Sequence, residues 1–373
     1  MDDIDPAGNY TITRAVRFNF KYKSQAADAG LRHAFQTGSI KHEIVLNANT
    51  STRKRYDPAG GWRQYISLSG TGNIYDPSYT ARPQNIPSAD GYVKAEENKL
   101  QSFGIADTLH FLDDSVLLTL GLRRQSVEQV FSDYHKTVTT PAVGLLFKVN
   151  ERVSLYGNYI EGLSAGSTAP TTAANAGEVF EPYQTKQVEA GVKLDLNGFA
   201  TTIAAFQIKQ PSAYTDPTTN IYSVDGEQRN QGLELNFFGE QQRNLRVLGG
   251  MTWMQGKLME TSGGINEGKT AVEVPKLVAK LGVEYDITSV PGLTLTANAI
   301  HTGKQYINQA NTLSVPSWRR YDLGARYVTR IGDKPVTLRA SVFNITDKVY
   351  WMGQLYRGVS DPRTVQLSAT IDF

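Results

Sequence analysis

The feature that most constrains the fold is a strict alternation of apolar and polar residues, clearest in the last ten positions, TVQLSATIDF at 364–373. Every second residue from Val365 to Phe373 is apolar, and the residues between them are polar. Successive side chains of a β-strand point to opposite faces, so this segment predicts a strand with one apolar and one polar face. Its ten residues are also the length that a tilted strand needs to cross a bilayer.

The same alternation recurs between turn residues along the whole chain. It predicts about sixteen strands, many of them longer than the strands of ordinary globular proteins: 10–22, 29–37, 40–56, 97–111, 114–130, 138–148, 151–161, 184–195, 199–210, 229–239, 243–258, 274–287, 292–304, 318–330, 335–345 and 364–373.

The connections between these strands alternate in length. Brief turns such as 37–39, 112–114 and 196–198 are followed by long connections, at 57–96, 162–183, 211–228, 259–273, 305–317 and 346–363, with two shorter members near 23–28 and 131–137. Outer-membrane barrels have short turns on the periplasmic side and longer loops outside. The pattern therefore predicts an all-β transmembrane antiparallel barrel whose long loops share one end.

Composition agrees with this interpretation. The 373 residues are 40% apolar with a mean hydropathy of −0.36, and no stretch approaches the length of a helical span. The net charge of +2 is spread along the chain, which argues against nucleic acid as a partner, and cysteine is absent. The start, MDDIDPAGNY, lacks the features of a signal peptide, so we expect either a mature chain or a missing upstream segment.

A soluble all-β repeat protein with a solvated face is one alternative to a barrel. Against it, many predicted strands are longer than is typical of globular proteins. In addition, the Glu, Lys, Arg and Asp of the polar faces would be very costly in a dry core, whereas a water-filled lumen tolerates them. An enzyme would need a catalytic constellation, but the five His show no metal-ligand spacing and no hydrolase or P-loop motif appears. We therefore expect no catalytic residue, no protein metal ligand and no enzymatic activity.

Aromatic residues fall into two groups. Those near strand ends predict an interfacial girdle: Tyr156, Tyr159, Tyr285, Trp318, Tyr321, Tyr327, Phe343, Tyr350 and Phe373. Those in the long loops, beside polar and basic residues, suit a bulky, oxygen-rich ligand, although packing of the loops on one another explains them equally well. The candidate ligand-binding residues are Tyr75, Tyr79, Trp351, Tyr356 and Arg357.

The C-terminal segment ASVFNITDKVYWMGQLYRGVSDPRTVQLSATIDF resembles the closing segment of TonB-dependent siderophore receptors of the ferrichrome type. The matching residues are Asn344, Thr346, Asp347 and Tyr350, then Asp361, Pro362, Arg363 and Thr364, and finally Phe373. Further stretches similar to the family, among them GNIYDP, SLYGNYIEGLSAG and SWRRYDLGARY, extend the resemblance over nearly the whole chain from about residue 30.

The resemblance implies an outer-membrane receptor of a Gram-negative bacterium, with a barrel of about 22 strands and a plugged lumen. Outside loops would capture a ferric siderophore, Fe(III) would arrive inside the chelate with no cofactor held by the protein, and TonB would supply the energy. Outer-membrane lipid and the barrel assembly machinery are the further implied partners. Residues 1–373 would be the C-terminal part of the barrel, without the plug, the TonB-interacting segment and about six strands.

Two other functions remain open at this point. If residues 10–22 paired with 364–373, the chain could close as a passive, porin-like channel. Alternatively, the chain could be a non-functional fragment whose first strand leaves backbone groups unpaired, which a bilayer does not tolerate.

Overall fold

The computed structural model describes residues 4–59, 63–79, 91–130, 134–164, 166–216, 218–242, 244–352 and 358–372. Nearly all regular structure in these ranges is β-strand, with one 3-10 turn at Ser262–Gly264. The strands are β1 Asn9–Phe18, β2 Lys21–Thr37, β3 Ile40–Pro58, β4 Arg63–Asn73, β5 Tyr92–Phe111, β6 Val116–Gln129, β7 Tyr134–Lys148, β8 Val153–Ser164, β9 Tyr183–Asp195, β10 Phe199–Thr215, β11 Tyr222–Gln242, β12 Leu245–Glu260, β13 Leu277–Asp286, β14 Leu293–Thr302, β15 Gln305–Tyr306, β16 Ser314–Val315, β17 Trp318–Ile331, β18 Lys334–Phe343 and β19 Thr364–Ile371.

Fifteen strands form one antiparallel sheet in the order β19-β18-β17-β14-β13-β12-β11-β10-β9-β8-β7-β6-β5-β3-β2. Strands that follow one another in this order pair with an unbroken register over long stretches, as in β2–β3 from Lys21↔Tyr56 to Thr37↔Ile40. Short turns and long connections alternate around the sheet, as the sequence predicts. We name the two rims the short-turn end and the long-loop end.

A two-stranded ribbon of β1 and β4 stands apart from this sheet, with Phe18 opposite Arg63 and Asn9 opposite Asn73. The sequence interpretation was wrong here in two ways. It placed a connection near 23–28, where β2 runs unbroken, and it left β4 inside a loop. The Ala- and Asp-containing stretch around Asp28 has low β-propensity, but its full pairing with β3 overrides that preference.

The described strands do not form a closed sheet. In this part of the chain, β19 pairs with β18 and β2 with β3, and the second edge of each is without a partner strand. The pairing of 10–22 with 364–373, on which the pore alternative depends, is not formed, because residues 9–18 pair with β4 instead.

The two faces of the sheet differ as the alternation predicts. One face, which we call the outer face, carries a continuous band of exposed apolar side chains, including Leu122, Leu145, Leu233, Trp253 and Leu323. The terminal strand joins this band through Val365 and Leu367, which are 67% and 74% exposed and are not packed in a dry interior. The opposite, luminal face carries most of the charged residues along the middle of the strands.

Some predicted girdle aromatics lie elsewhere. The hydroxyl of Tyr156 donates to Glu189 at 2.7 Å on the luminal face, and Trp318 stacks on Tyr350 at 4.1 Å between ring centroids. Neither can lie in an outward girdle, whereas Tyr285, Tyr321 and Tyr327 are exposed on the outer face. Across the described ranges, no helix combines the length and apolar character that crossing a membrane would require.

Candidate functional site

The long-loop end contains an apolar core made by segments far apart in the sequence. Tyr10, Ile74, Val315 and Trp351 are each less than a tenth exposed and pack together, and we call this set the apolar loop cluster. The indole Nε1 of Trp351 donates to the backbone oxygen of Ile74 at 2.8 Å, and its ring meets that of Tyr10 edge-on at 6.2 Å. The cluster thus fixes the β1–β4 ribbon to the connection between β18 and β19.

The candidate ligand-binding residues fall into three groups. Tyr75 and Tyr79 are 45% and 41% exposed and available for contact. The ring of Tyr75 lies against Gly8, which has a φ of +85°, a backbone conformation that glycine adopts more easily than other residues. Trp351 is 6% exposed, so in this conformation its ring packs loops together. Tyr356 and Arg357 lie outside the described residues. Ligand contact by all five stays a prediction.

The motif residues near the C-terminus form a hydrogen-bonded loop, which we call the Asn344 loop, at the start of the last connection. The Asn344 side chain donates to the backbone oxygens of Lys348 and Asp361 at 3.0 and 3.1 Å and accepts from the Lys348 N–H at 3.1 Å. The carboxylate of Asp347 accepts from the Arg363 N–H at 2.8 Å. These hydrogen bonds therefore fix the shape of the Asn344 loop. The loop is attached to the sheet by the hydrogen bond from the Asn344 N–H to the Asp322 carboxylate, at 2.8 Å.

A second cluster at the same end is held by polar contacts, and we call it the polar loop cluster. The hydroxyl of Tyr222 donates to Ser167 Oγ at 2.9 Å, and Ser167 also contacts the hydroxyl of Tyr183. Asn175 exchanges two hydrogen bonds of 2.8 Å with the backbone of Tyr222. These bonds join the β8–β9 connection to the β10–β11 connection.

Further contacts continue this linkage from loop to loop. Ser262 in the β12–β13 connection donates to Asp216 in the β10–β11 connection at 3.2 Å, and the Thr270 N–H donates to Asn311 at 2.8 Å. Backbone N–H donation from Thr219 and Thr218 lowers the pKa of the Asp216 carboxyl below its usual value. Since Val315 in the β14–β17 connection belongs to the apolar loop cluster, linked contacts run from the β8–β9 connection to the β1–β4 ribbon.

The lumen near the short-turn end contains an ion-pair network on β12, β13 and β17. Arg246 binds both carboxylate oxygens of Asp286 at 2.7 and 2.8 Å and lies 3.2 Å from Glu284. Arg326 lies 3.6 Å from Glu284, and Thr294 Oγ1 donates to Asp286 at 2.7 Å. Such a network is compatible with a wet interior, as the sequence predicts. The described residues contain no group of three or more His, Asp or Glu able to hold a metal ion.

Sequence reasoning missed Tyr10, Ile74 and Val315 because their contacts are long-range: Ile74 and Trp351 are 277 positions apart. It also missed Tyr222 and Ser167, although both lie in connections that it identified. The number of Tyr, Ser and Asn residues in those two connections is the feature of the sequence that could have indicated the polar loop cluster.

Comparison with known proteins gives a consistent result. Residues 3–345 match the family model of TonB dependent receptor-like β-barrels. Ferrichrome receptor FcuA of Yersinia enterocolitica is 36% identical over 98% of this chain and 50% of its own length. The ferrichrome outer membrane transporter/phage receptor of Escherichia coli strain K12 is 27% identical over 92% of this chain and 47% of its own.

Solved structures agree. The crystal structure of BauA, the ferric preacinetobactin receptor from Acinetobacter baumannii, is 42% identical with a TM-score of 0.80, covering 98% of this chain and 56% of that one. The chain spans about half the length of the curated relatives it matches. These relatives are receptors and transporters, and the family's barrels are proteins of the Gram-negative outer membrane, which confirms the predicted location. By its sheet, its loop pattern and its match over residues 3–345, this chain belongs to the TonB-dependent receptors and has their outer-membrane β-barrel fold.

Proposed function

We propose that this chain forms part of the barrel of an outer-membrane receptor that captures ferric siderophores with its long loops. In the intact receptor the ligand is then imported with energy supplied through TonB. Residues 1–373 would be one barrel domain, and the partner strands for the free edges of β2 and β19 would come from the rest of a longer receptor.

The observation that carries this proposal is the linked set of long connections. The polar loop cluster, the Asp216 and Asn311 contacts and the apolar loop cluster hold these connections against one another at one end of the sheet. Extended connections ordered on a rigid scaffold are the usual place for ligand binding. Relatives named as receptors for ferrichrome and preacinetobactin match nearly the whole chain, which favours an iron chelate as the ligand.

Iron uptake tests the proposal directly. The complete gene, expressed in a Gram-negative strain lacking its own siderophore receptors, is expected to restore uptake of radiolabelled ferric hydroxamate or ferric preacinetobactin. Uptake should disappear when tonB is deleted or the proton gradient is collapsed. No uptake of either chelate, with the protein present in the outer membrane, contradicts the siderophore assignment.

Binding by the loops is tested by Tyr75→Ala and Tyr79→Ala, measured as the dissociation constant for the ferric chelate. Each substitution removes one exposed aromatic contact, so we expect a loss of about 1 kcal/mol. Tyr327→Ala, on the outer face, removes a tyrosine of similar exposure and should leave affinity unchanged. Equal affinity for all three variants would remove Tyr75 and Tyr79 from the site.

The passive-pore alternative is distinguished by conductance in planar bilayers. A plugged receptor is expected to be silent. Steady open channels that do not depend on ligand or TonB would favour a pore. We propose no catalytic function, because iron would enter within its chelate and the relatives are named as receptors and transporters.

A further inference from the structure

The short turn between β9 and β10 contains the one Asn–Gly pair of the sequence, Asn197–Gly198. The backbone nitrogen of the residue after an asparagine can attack the carbon of the asparagine side-chain amide and close a five-membered ring. A side chain on that following residue hinders the attack, whereas glycine has no Cβ and leaves the approach open. Every other asparagine of the chain precedes a residue with a side chain, so the sequence makes Asn197 the most susceptible to this reaction.

The geometry of the turn leaves both reacting groups accessible. Asn197 and Gly198 have φ of +57° and +97° and are the central residues of a two-residue turn, in which the Leu196 N–H donates to the Phe199 carbonyl at 2.9 Å. Both residues are exposed, and a Cβ at Gly198 would meet no atom within 4 Å. Among the described residues, neither the side-chain amide of Asn197 nor the Gly198 N–H has a hydrogen-bond partner.

The turn between β7 and β8 provides a contrast, because it also contains an exposed asparagine. The Oδ1 atom of Asn150 accepts from the N–H groups of Arg152 and Val153 at 2.8 and 2.9 Å. These bonds hold the side chain against its own turn, and the next residue, Glu151, has a side chain that hinders attack. Exposure is therefore shared by the two turns, whereas an unrestrained amide followed by glycine is found at Asn197 and not at Asn150.

The contacts around Asn197 show what the reaction would change. The carboxylate of Asp195 accepts from the Asn197 N–H at 3.2 Å, and the Gly198 carbonyl accepts from the N–H of Glu240, in the next short turn, at 2.9 Å. A new carboxylate at position 197 would add a like charge beside Asp195. An isoaspartyl linkage would also add a carbon atom to the backbone of a turn whose length sets the register of β9 and β10.

We propose that Asn197 is a site of spontaneous deamidation. The Gly198 nitrogen bonds to Cγ of Asn197 and gives its proton to solvent, the side-chain nitrogen leaves as ammonia, and a succinimide remains. Water then adds to one of the two ring carbonyls and opens the ring to isoaspartate or aspartate. Water is the only co-reactant, and the exposed turn at the short-turn end has access to it. The modified turn lies at the opposite end of the sheet from the proposed siderophore site.

The test uses the receptor purified from outer membranes and kept folded in phosphatidylcholine nanodiscs. It is incubated in heavy-oxygen water at neutral and at mildly alkaline pH, then digested with trypsin, and the peptide 194–209 is analysed by mass spectrometry. We expect this peptide to gain a carboxyl group that contains heavy oxygen, faster at the higher pH because the attacking nitrogen must lose its proton. An isoaspartyl methyltransferase with labelled methyl donor should methylate the aged receptor and not the fresh one.

Matched controls come from the same digest and from one variant. The peptide 149–152, which contains Asn150, should keep its mass, and Asn197→Gln should remove the label from 194–209 because a glutamine side chain cannot close the five-membered ring. A synthetic peptide 194–209 reports the reactivity of the unfolded sequence. If this peptide converts while the folded receptor does not, the turn protects Asn197 and the proposal is overturned. Equal labelling of 149–152, or unchanged labelling in Asn197→Gln, also overturns it.

Discussion

The two loop clusters at the long-loop end do the same task by different physical means. The apolar loop cluster excludes water around Ile74, which is fully buried, and uses one indole hydrogen bond to fix its geometry. The polar loop cluster relies on hydroxyl and amide hydrogen bonds around Tyr222, Ser167 and Asn175, with only half-buried rings. One joins segments hundreds of residues apart, and the other joins neighbouring connections.

This difference predicts that the connections held by the apolar loop cluster are more stable than those held by the polar loop cluster. Burial of large side chains stabilises by several kcal/mol and is lost only when the whole cluster opens. Each hydrogen bond contributes about 1 kcal/mol net and can exchange with water or with a ligand. We therefore expect the β1–β4 ribbon to stay docked while the β8–β9 and β10–β11 connections rearrange more readily.

The largest expected effect is that of Trp351→Ala. It removes the central ring of the apolar loop cluster and its hydrogen bond to Ile74, and should cost about 3 kcal/mol or more of the free energy that keeps the ribbon docked. Hydrogen exchange of the β1 and β4 amides is expected to rise strongly, while β13 and β14 stay protected. Trp253→Ala on the outer face is the matched control, and equal ribbon protection in both variants would contradict the role given to the cluster.

Asn344→Ala should have the next largest effect, because it removes the side-chain hydrogen bonds that shape the Asn344 loop, in the connection that contains Trp351. The side chain is buried and makes three hydrogen bonds, so its loss should cost about 2 kcal/mol. Asn344 has a φ of +52°, and Asn197, in a short turn with a φ of +57°, provides a control with the same backbone preference. If Asn197→Ala lowers the thermal midpoint as much as Asn344→Ala does, the effect comes from backbone strain and not from the lost hydrogen bonds of the Asn344 loop.

The comparison also shows what a single sequence can specify. Alternation in segments such as TVQLSATIDF correctly predicts strands and their two faces, because side-chain direction along a strand is a local property. The sorting of loop lengths follows from the spacing between those strands. Pairing partners are not local. The assignment of 10–22 as one barrel strand failed because residues 9–18 pair with β4, which reads as loop in the sequence.

The contacts among the loops were predicted less well than the fold, and the ligand contacts proposed for Tyr75, Tyr79 and Trp351 stay predictions. The long connections could be identified from the sequence. The burial of Trp351 could not, because it depends on Tyr10, Ile74 and Val315, which lie far from it in the sequence. Nothing near Trp351 in the sequence distinguishes a packing indole from a ligand-contacting one. The motif residues around Asn344 are explained by loop geometry, because their hydrogen bonds shape the last connection.

A smaller effect is expected for Tyr222→Phe, which tests the polar loop cluster. The substitution keeps the ring contact with Phe180, at 5.6 Å between centroids, and removes only the hydrogen bond to Ser167. The loss should be about 1 kcal/mol, seen as faster hydrogen exchange around 166–180 with no change in β1 or β4. Tyr327→Phe, on the outer face, controls for the loss of an exposed hydroxyl, and a spread of the effect to the ribbon would show that the two clusters are not independent.

The smallest effect is a pH dependence of the β10–β11 connection through Asp216. Its pKa is lowered in the folded state by the N–H groups of Thr219 and Thr218, so its stabilising contribution is present above the unfolded pKa of about 3.9 and is lost as the pH falls through the lower folded value. Because the chain has no cysteine, a spin label on Ile221→Cys reports this turn alone. Label mobility should rise only below about pH 4. Asp216→Asn should remove that dependence because an amide oxygen still accepts both N–H groups without titrating, and an unchanged profile in this variant would assign the transition to another carboxylate.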